Sequence, residues 1–156
     1  MNAYLTVKLV HIISSTILFG TGIGTAFFMF RAYKSGDVAV MRGTNRQVVL
    51  ADWLFTTPAI VVQFASGLWL TERLGIPYTS TWFIAVMSVF LFVGVCWLPV
   101  VWIQRRLNRM LSKGTVPGEL PHEYHRLMRI WVLLGILAFT SVVVLFGLMV
   151  FKPGMN

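Results

Sequence analysis

The sequence predicts an all-α polytopic membrane protein, an antiparallel bundle of four transmembrane helices, and three observations carry that expectation. Hydrophobic residues fill 57% of the 156 positions and charged residues only 12%, a balance far from that of a soluble globular domain. Four apolar stretches each exceed the roughly 20 helical residues that cross a hydrocarbon core. Most of the positive charge gathers around two of the three connections between those stretches, as it does in loops that stay in the cytoplasm.

The first span, at about residues 4–30, is too long for the core of a signal peptide and has no basic leader, so it reads as a retained helix. The second is expected at about residues 48–70, the third at 82–103 and the fourth at 130–151, each ending in charges, glycine or proline. Little chain is left for a soluble module, and residues 1–156 read as a single transmembrane domain. Backbone polar groups cannot go unpaired in lipid, which makes each span a helix packed in a bundle with short connections. Pro58 and Pro99 fall inside the second and third spans and should bend them. The run from Gly114 to Gly118 reads as a loop, with Pro121 in the first turn of a fourth helix that begins before the membrane.

Arg31, Lys34, Arg42 and Arg46 are expected in the first loop, and Arg105, Arg106, Arg109, Lys113, Arg126 and Arg129 in and around the third. Only Lys8, Arg73 and Lys152 fall on the other side. This asymmetry puts loops one and three inside a bacterial cytoplasmic membrane and both termini on the periplasmic or extracellular side. Tyr4, Trp69, Tyr78 and Trp82 then fit an outer aromatic belt. Topology accounts for the net charge of +8, so the lipid bilayer is an expected partner and nucleic acid is not. The one cysteine, Cys96, lies in an apolar span and reads as packing.

The chemistry of such a chain must come from polar residues that a membrane makes costly. His11 is the most informative. At a 3.6-residue period Lys8, His11, Ser15 and Gly22 share a face, which points the imidazole into the bundle. Counting back along the antiparallel second helix at about 1.5 Å per residue brings Gln63 and Gly67 to the depth of His11. A neutral imidazole is a ligand for haem iron, an apolar bundle accepts the macrocycle, and Lys8 or Arg73 is placed to neutralise propionates. Haem b is therefore the cofactor candidate, with His11 as iron ligand and Gln63, Gly67, Lys8 and Arg73 around the group. A structural histidine bonded to Gln63 or a backbone carbonyl, with no cofactor, and a proton relay stand beside it.

No other span holds a histidine, which excludes a bis-histidine site within one chain. Met87 near the same depth, or His11 from a second copy, would be the remaining ways to complete an iron site. Thr16, Gly20 and Gly24 form a small-residue stripe that suits helix packing or a homodimer. On the inner side Asp52, Thr56 and Gln63 line one seam, and Asp52 is expected to pair with Arg31, Arg46 or Arg105. His122 and His125 with Glu119 and Glu123 read as a solvated helix start, a metal pair being the minor alternative. No phosphate loop, nucleophile elbow or zinc helix is present, which leaves the familiar hydrolases and transferases without support.

The runs LVHIISSTILFGTGIGTAFF, LADWLFTTPAIVVQFASGLWL, CWLPVVWIQ, LLGILAF and LMVFKP resemble a bacterial family of four-helix integral membrane proteins, DUF family 2269, which lends a fold and no activity. More distantly, the histidine early in the first helix, the glycine late in the second and the tryptophan opening the third resemble the membrane protoporphyrinogen oxidase of the HemJ type. That likeness implies haem b held by a first-helix histidine, here His11, and a third-helix lysine. The matching stretch from Trp82 to Met87 has no lysine, so only one ligand carries over. Two functions follow: a haem b redox protein or oxidase, or a cofactor-free membrane protein acting as partner or stabilising subunit, with small-solute transport third. Whether the chain is an enzyme stays open.

Overall fold

The computed structural model describes residues 2–112 and 120–153, and the chain over them is four long helices. The first is α1 (Ala3–Ser35). The second is continuous from Val38 to Arg73, built of α2 (Val38–Ala51), a π-helical turn (Asp52–Thr56) and α3 (Thr57–Arg73). The third is α4 (Thr81–Ser112) and the fourth α5 (His122–Phe151). All four are long and apolar enough to cross a membrane, and the expected spans lie inside them. The loop expected from Gly114 to Gly118, with Lys113 and Glu119, lies outside the described residues.

Local chemistry sets the ends. Asn2 caps α1 by accepting from the Tyr4 N–H at 3.1 Å, which satisfies one of the donors a helix start leaves free. Gly36 closes it in the left-handed region at φ 70°, where a residue without Cβ pays no steric cost. Asp37 then accepts from the Ala39 and Val40 N–H groups and starts α2. The turn between the first two helices is thus two residues long. Arg42 and Arg46, expected in a loop, stand on α2, because a glycine stop followed at once by an aspartate cap leaves no loop to hold them. Likewise Arg31 and Lys34 lie on α1, Arg105, Arg106 and Arg109 on α4, and Arg126 and Arg129 on α5. The helices simply run on past the apolar spans. Pro121 stands just before α5, its carbonyl accepting from the Tyr124 N–H at 2.8 Å.

The π turn sits immediately ahead of Pro58. That proline has no N–H for the Leu54 carbonyl, so a regular ladder would lose a bond here. The wider turn places Asp52 and Thr56 on the buried side.

Packing is uneven along the bundle. At the end that carries the arginines, the helix extensions form a tight core around Met41, Leu107, Leu111 and Met128. Polar ties hold it: Asn45 Nδ2 donates to the Gln104 carbonyl at 3.2 Å, Arg42 Nε to the Leu111 carbonyl at 2.9 Å, and Arg106 pairs with Glu123. At the other end, which carries both termini, Ile76, Trp82 and Val86 form a smaller core against α5. Between the two, α1 packs on α3 and α4 on α5, the pairs being bridged where Phe19 of α1 stacks on Phe139 of α5 at 4.8 Å, while α3 and α4 make no close backbone approach.

Candidate functional site in the bundle cavity

The His11 layer forms as its spacing predicts. His11 Nε2 lies 2.9 Å from Gln63 Nε2, and Nδ1 lies 2.8 Å from Ser66 Oγ. Ser14 Oγ donates to Gln63 Oε1 at 2.5 Å, and Ser66 Oγ donates to the Val62 carbonyl at 2.5 Å. Each group then has one role: the Gln63 amide donates to Nε2, and Nδ1–H donates to Ser66. This is a neutral imidazole with both nitrogens engaged. No charge enters the layer, which suits a site inside a low-dielectric bundle.

Gly67 lets the two helices meet there. A Cβ built on it would lie 3.3 Å from His11 Cε1, so any side chain would press on the imidazole. The stripe in α1 behaves differently. Added Cβ atoms on Gly20, Gly22 and Gly24 would meet nothing within 4 Å, so no other helix among the described residues packs closely on those glycines.

The divergence of the helices leaves a cavity of about 830 Å³ that reaches from Trp82 and Met149 at the terminal end to Asp52, Gln104 and Trp131 at the basic end. His11, Gln63 and Gly67 stand on its wall, as do Thr56 and Met87. Between α3 and α4 the wall is side chains alone, with Phe64 and Phe90 stacked at 5.8 Å. Phe64, Leu91, Val95 and Leu98 line it and are exposed. With no close backbone approach between α3 and α4, the gap between these helices is the cavity's lateral side, facing lipid when the bundle is in a bilayer.

Several expected roles take another form. Lys8 and Arg73 do not line the cavity; Lys8 sits over the Tyr4 ring at 5.9 Å and Arg73 over Trp69 at 5.0 Å, where a cation gains from the ring's electron-rich face. Trp82 is no belt residue: it is buried and donates from Nε1 to the Leu148 carbonyl at 2.7 Å. Asp52 makes no ion pair among the described residues. Its Oδ1 accepts from Thr56 at 3.0 Å, because the π turn rotates the carboxyl inward, and Arg105 stacks on Trp53 instead. His125 bonds through Nδ1 to the Tyr33 hydroxyl at 2.8 Å, and Glu123 to Arg106. Cys96 is buried, as its packing role requires.

Sequence reasoning missed Ser14, Ser66, Gln104 and Trp131. A faint signal for the first two existed, since Ser66 lies three residues after Gln63 and Ser14 three after His11, one helical turn in each case. Gln104 and Trp131 gave none, because nothing local distinguishes an interfacial glutamine or tryptophan from one that turns inward.

No curated protein and no solved structure matches the chain, and the likeness to the HemJ-type oxidase is not shown. Residues 5–153 match the family model described as predicted integral membrane protein (DUF2269). With four apolar helices of membrane-spanning length and a family match over nearly all its residues, this chain belongs to the DUF2269 family of integral membrane proteins.

Proposed function

We propose that this protein binds a slender lipophilic molecule, taken from the bilayer, in the cavity between its two helix pairs. The observation that carries the reading is the cavity itself, apolar, laterally open and as long as the bundle is deep. Between Trp82 and Gln104, both on its wall, the helix rise of 1.5 Å per residue gives about 33 Å, a length that suits an elongated hydrocarbon chain. Pockets for small molecules fall in this range of volume, mostly apolar with a few convergent polar groups, and the His11 network supplies such groups in the terminal half of the wall.

Haem b with His11 as axial ligand is the second reading, favoured by the place of His11, Gly67 and Met87 on the cavity wall. It asks more of the protein. Gln63 holds the Nε2 lone pair and would have to release it, and Lys8 and Arg73 would have to leave their aromatic partners to reach propionates. If bound, the group would supply redox chemistry. Orientation with the basic end in the cytoplasm is also part of the proposal, on the charge asymmetry alone.

Organic extraction of the purified protein followed by mass spectrometry tests the main reading. Gly94 and Gly135 line the cavity with free space where a Cβ would go, so Gly94→Leu with Gly135→Leu should fill it without disturbing the cores. A near-stoichiometric apolar molecule retained by the wild type and lost from that variant is expected; equal retention would overturn the reading. A visible spectrum of the same sample separates the two readings, since a b-type signal lost in His11→Ala would put haem first.

A further inference from the structure

The basic end of the cavity holds polar chemistry that the His11 network does not explain. Asp52 and Trp131 are 7% and 5% exposed, and both line the cavity. Among the described residues Asp52 Oδ2 has no hydrogen-bond partner, and neither has Trp131 Nε1. Buried polar groups without partners are rare in folded proteins, and each such atom calls for a reason. Asn45 Oδ1 is likewise unpaired, but Asn45 does not line the cavity. The two remaining atoms are opposite in kind, one acceptor and one donor.

They line the same cavity, together with Gln104, and Trp131 packs in the same core as Val48, one turn before Asp52, and Ile103, the neighbour of Gln104. The carboxyl is brought there by the π turn, a departure from regular helix that recurs at functional sites. No arginine pairs with it among the described residues.

We propose that this end is the head-group subsite of the cavity and that it takes a hydroxyl: the bound molecule is a long-chain or prenyl alcohol or a quinol, whose O–H donates to Asp52 and whose oxygen accepts from Trp131. A hydroxyl is one donor with two acceptor lone pairs, which matches the unpaired set. The rest of such a molecule lies along the apolar wall. A hydrocarbon would leave both atoms unpaired, and a protonated amine would leave Trp131 without an acceptor.

The inference rests on the cavity being a ligand site, and the experiment separates the two. Full-length protein in detergent is loaded with a tritiated C15 prenyl alcohol, and binding is competed with the unlabelled alcohol, its methyl ether and the hydrocarbon of equal length. A buried polar group left without its hydrogen bond costs enough to make the alcohol compete about tenfold better than ether or hydrocarbon. Asp52→Leu should bring the alcohol down to the level of the ether, both staying above the hydrocarbon, whose own affinity holds. Trp131→Phe keeps the ring, loses the donor and should lower the alcohol and the ether together relative to the hydrocarbon, which keeps the test alive if Asp52→Leu does not fold. Equal competition by all three on the wild type would overturn the hydroxyl subsite and leave the cavity reading standing. Absence of saturable binding by any of them would overturn both.

Discussion

At the scale of single residues the structure turns on one imidazole that is fully bonded and one glycine that gives it room. Gly67→Leu would drive side-chain carbon into His11 Cε1, already 3.3 Å from an added Cβ, and overpacking of this kind costs about 1–3 kcal/mol. His11→Ala strands the Gln63 amide and the Ser66 hydroxyl, at about 1–3 kcal/mol. In the double variant the clash is gone, so the two losses should fall short of their sum by about 0.5–3 kcal/mol. Unfolding in mixed micelles followed by circular dichroism measures the cycle; strict additivity would mean that His11 does not lie against Gly67. The depth of this layer was legible from His11, Gln63 and Gly67, because helix rise is uniform and antiparallel spans can be counted against each other. Its closure by Ser14 and Ser66 was not, since a serine in a membrane helix bonds its own backbone as readily as a neighbour's side chain.

At the scale of elements, the helices are held by their extensions beyond the apolar spans more than by the spans themselves. Leu107 and Leu111 on α4 are fully buried, whereas Leu133 on α5 is 61% exposed. Leu107→Ala and Leu111→Ala should each cost about 2–5 kcal/mol. Leu133→Ala, facing lipid as apolar as itself, should stay within about 0.5 kcal/mol. The same micelle titration reads all three, and equal losses would place the principal core in the spans. Hydropathy located the spans because transfer into lipid acts on each residue separately. It was blind to the extensions, where Arg42, Arg46 and Arg105 alternate with core residues and look like loop when only charge is counted. The two-residue turn at Gly36–Asp37 could be read as a stop and a cap, yet the basic residues around it masked it.

For the whole molecule, the proposed orientation is open to a direct check. Cys96 is the only cysteine and it is buried, so new cysteines report on a quiet background. With the basic end in the cytoplasm, a membrane-impermeant maleimide on intact cells should label Thr79→Cys, in the connection before α4, and spare Ala39→Cys at the start of α2. The reverse pattern would invert the topology.

The sequence by itself determined that the chain is helical, that it crosses the membrane four times, which end is basic and that Gln63 and Gly67 come to the level of His11. Those properties depend on composition, on helix rise and on charge count, all of which are local or periodic along the chain. Only the tertiary structure decided that the helix pairs part between two packed ends, leaving a cavity, and that Asp52 turns into it instead of pairing with arginine. Divergence depends on how side chains of distant segments fill space, which leaves no mark in the order of the residues, and the turn of Asp52 depends on a π-helical register of which Pro58 marks the place but not the direction.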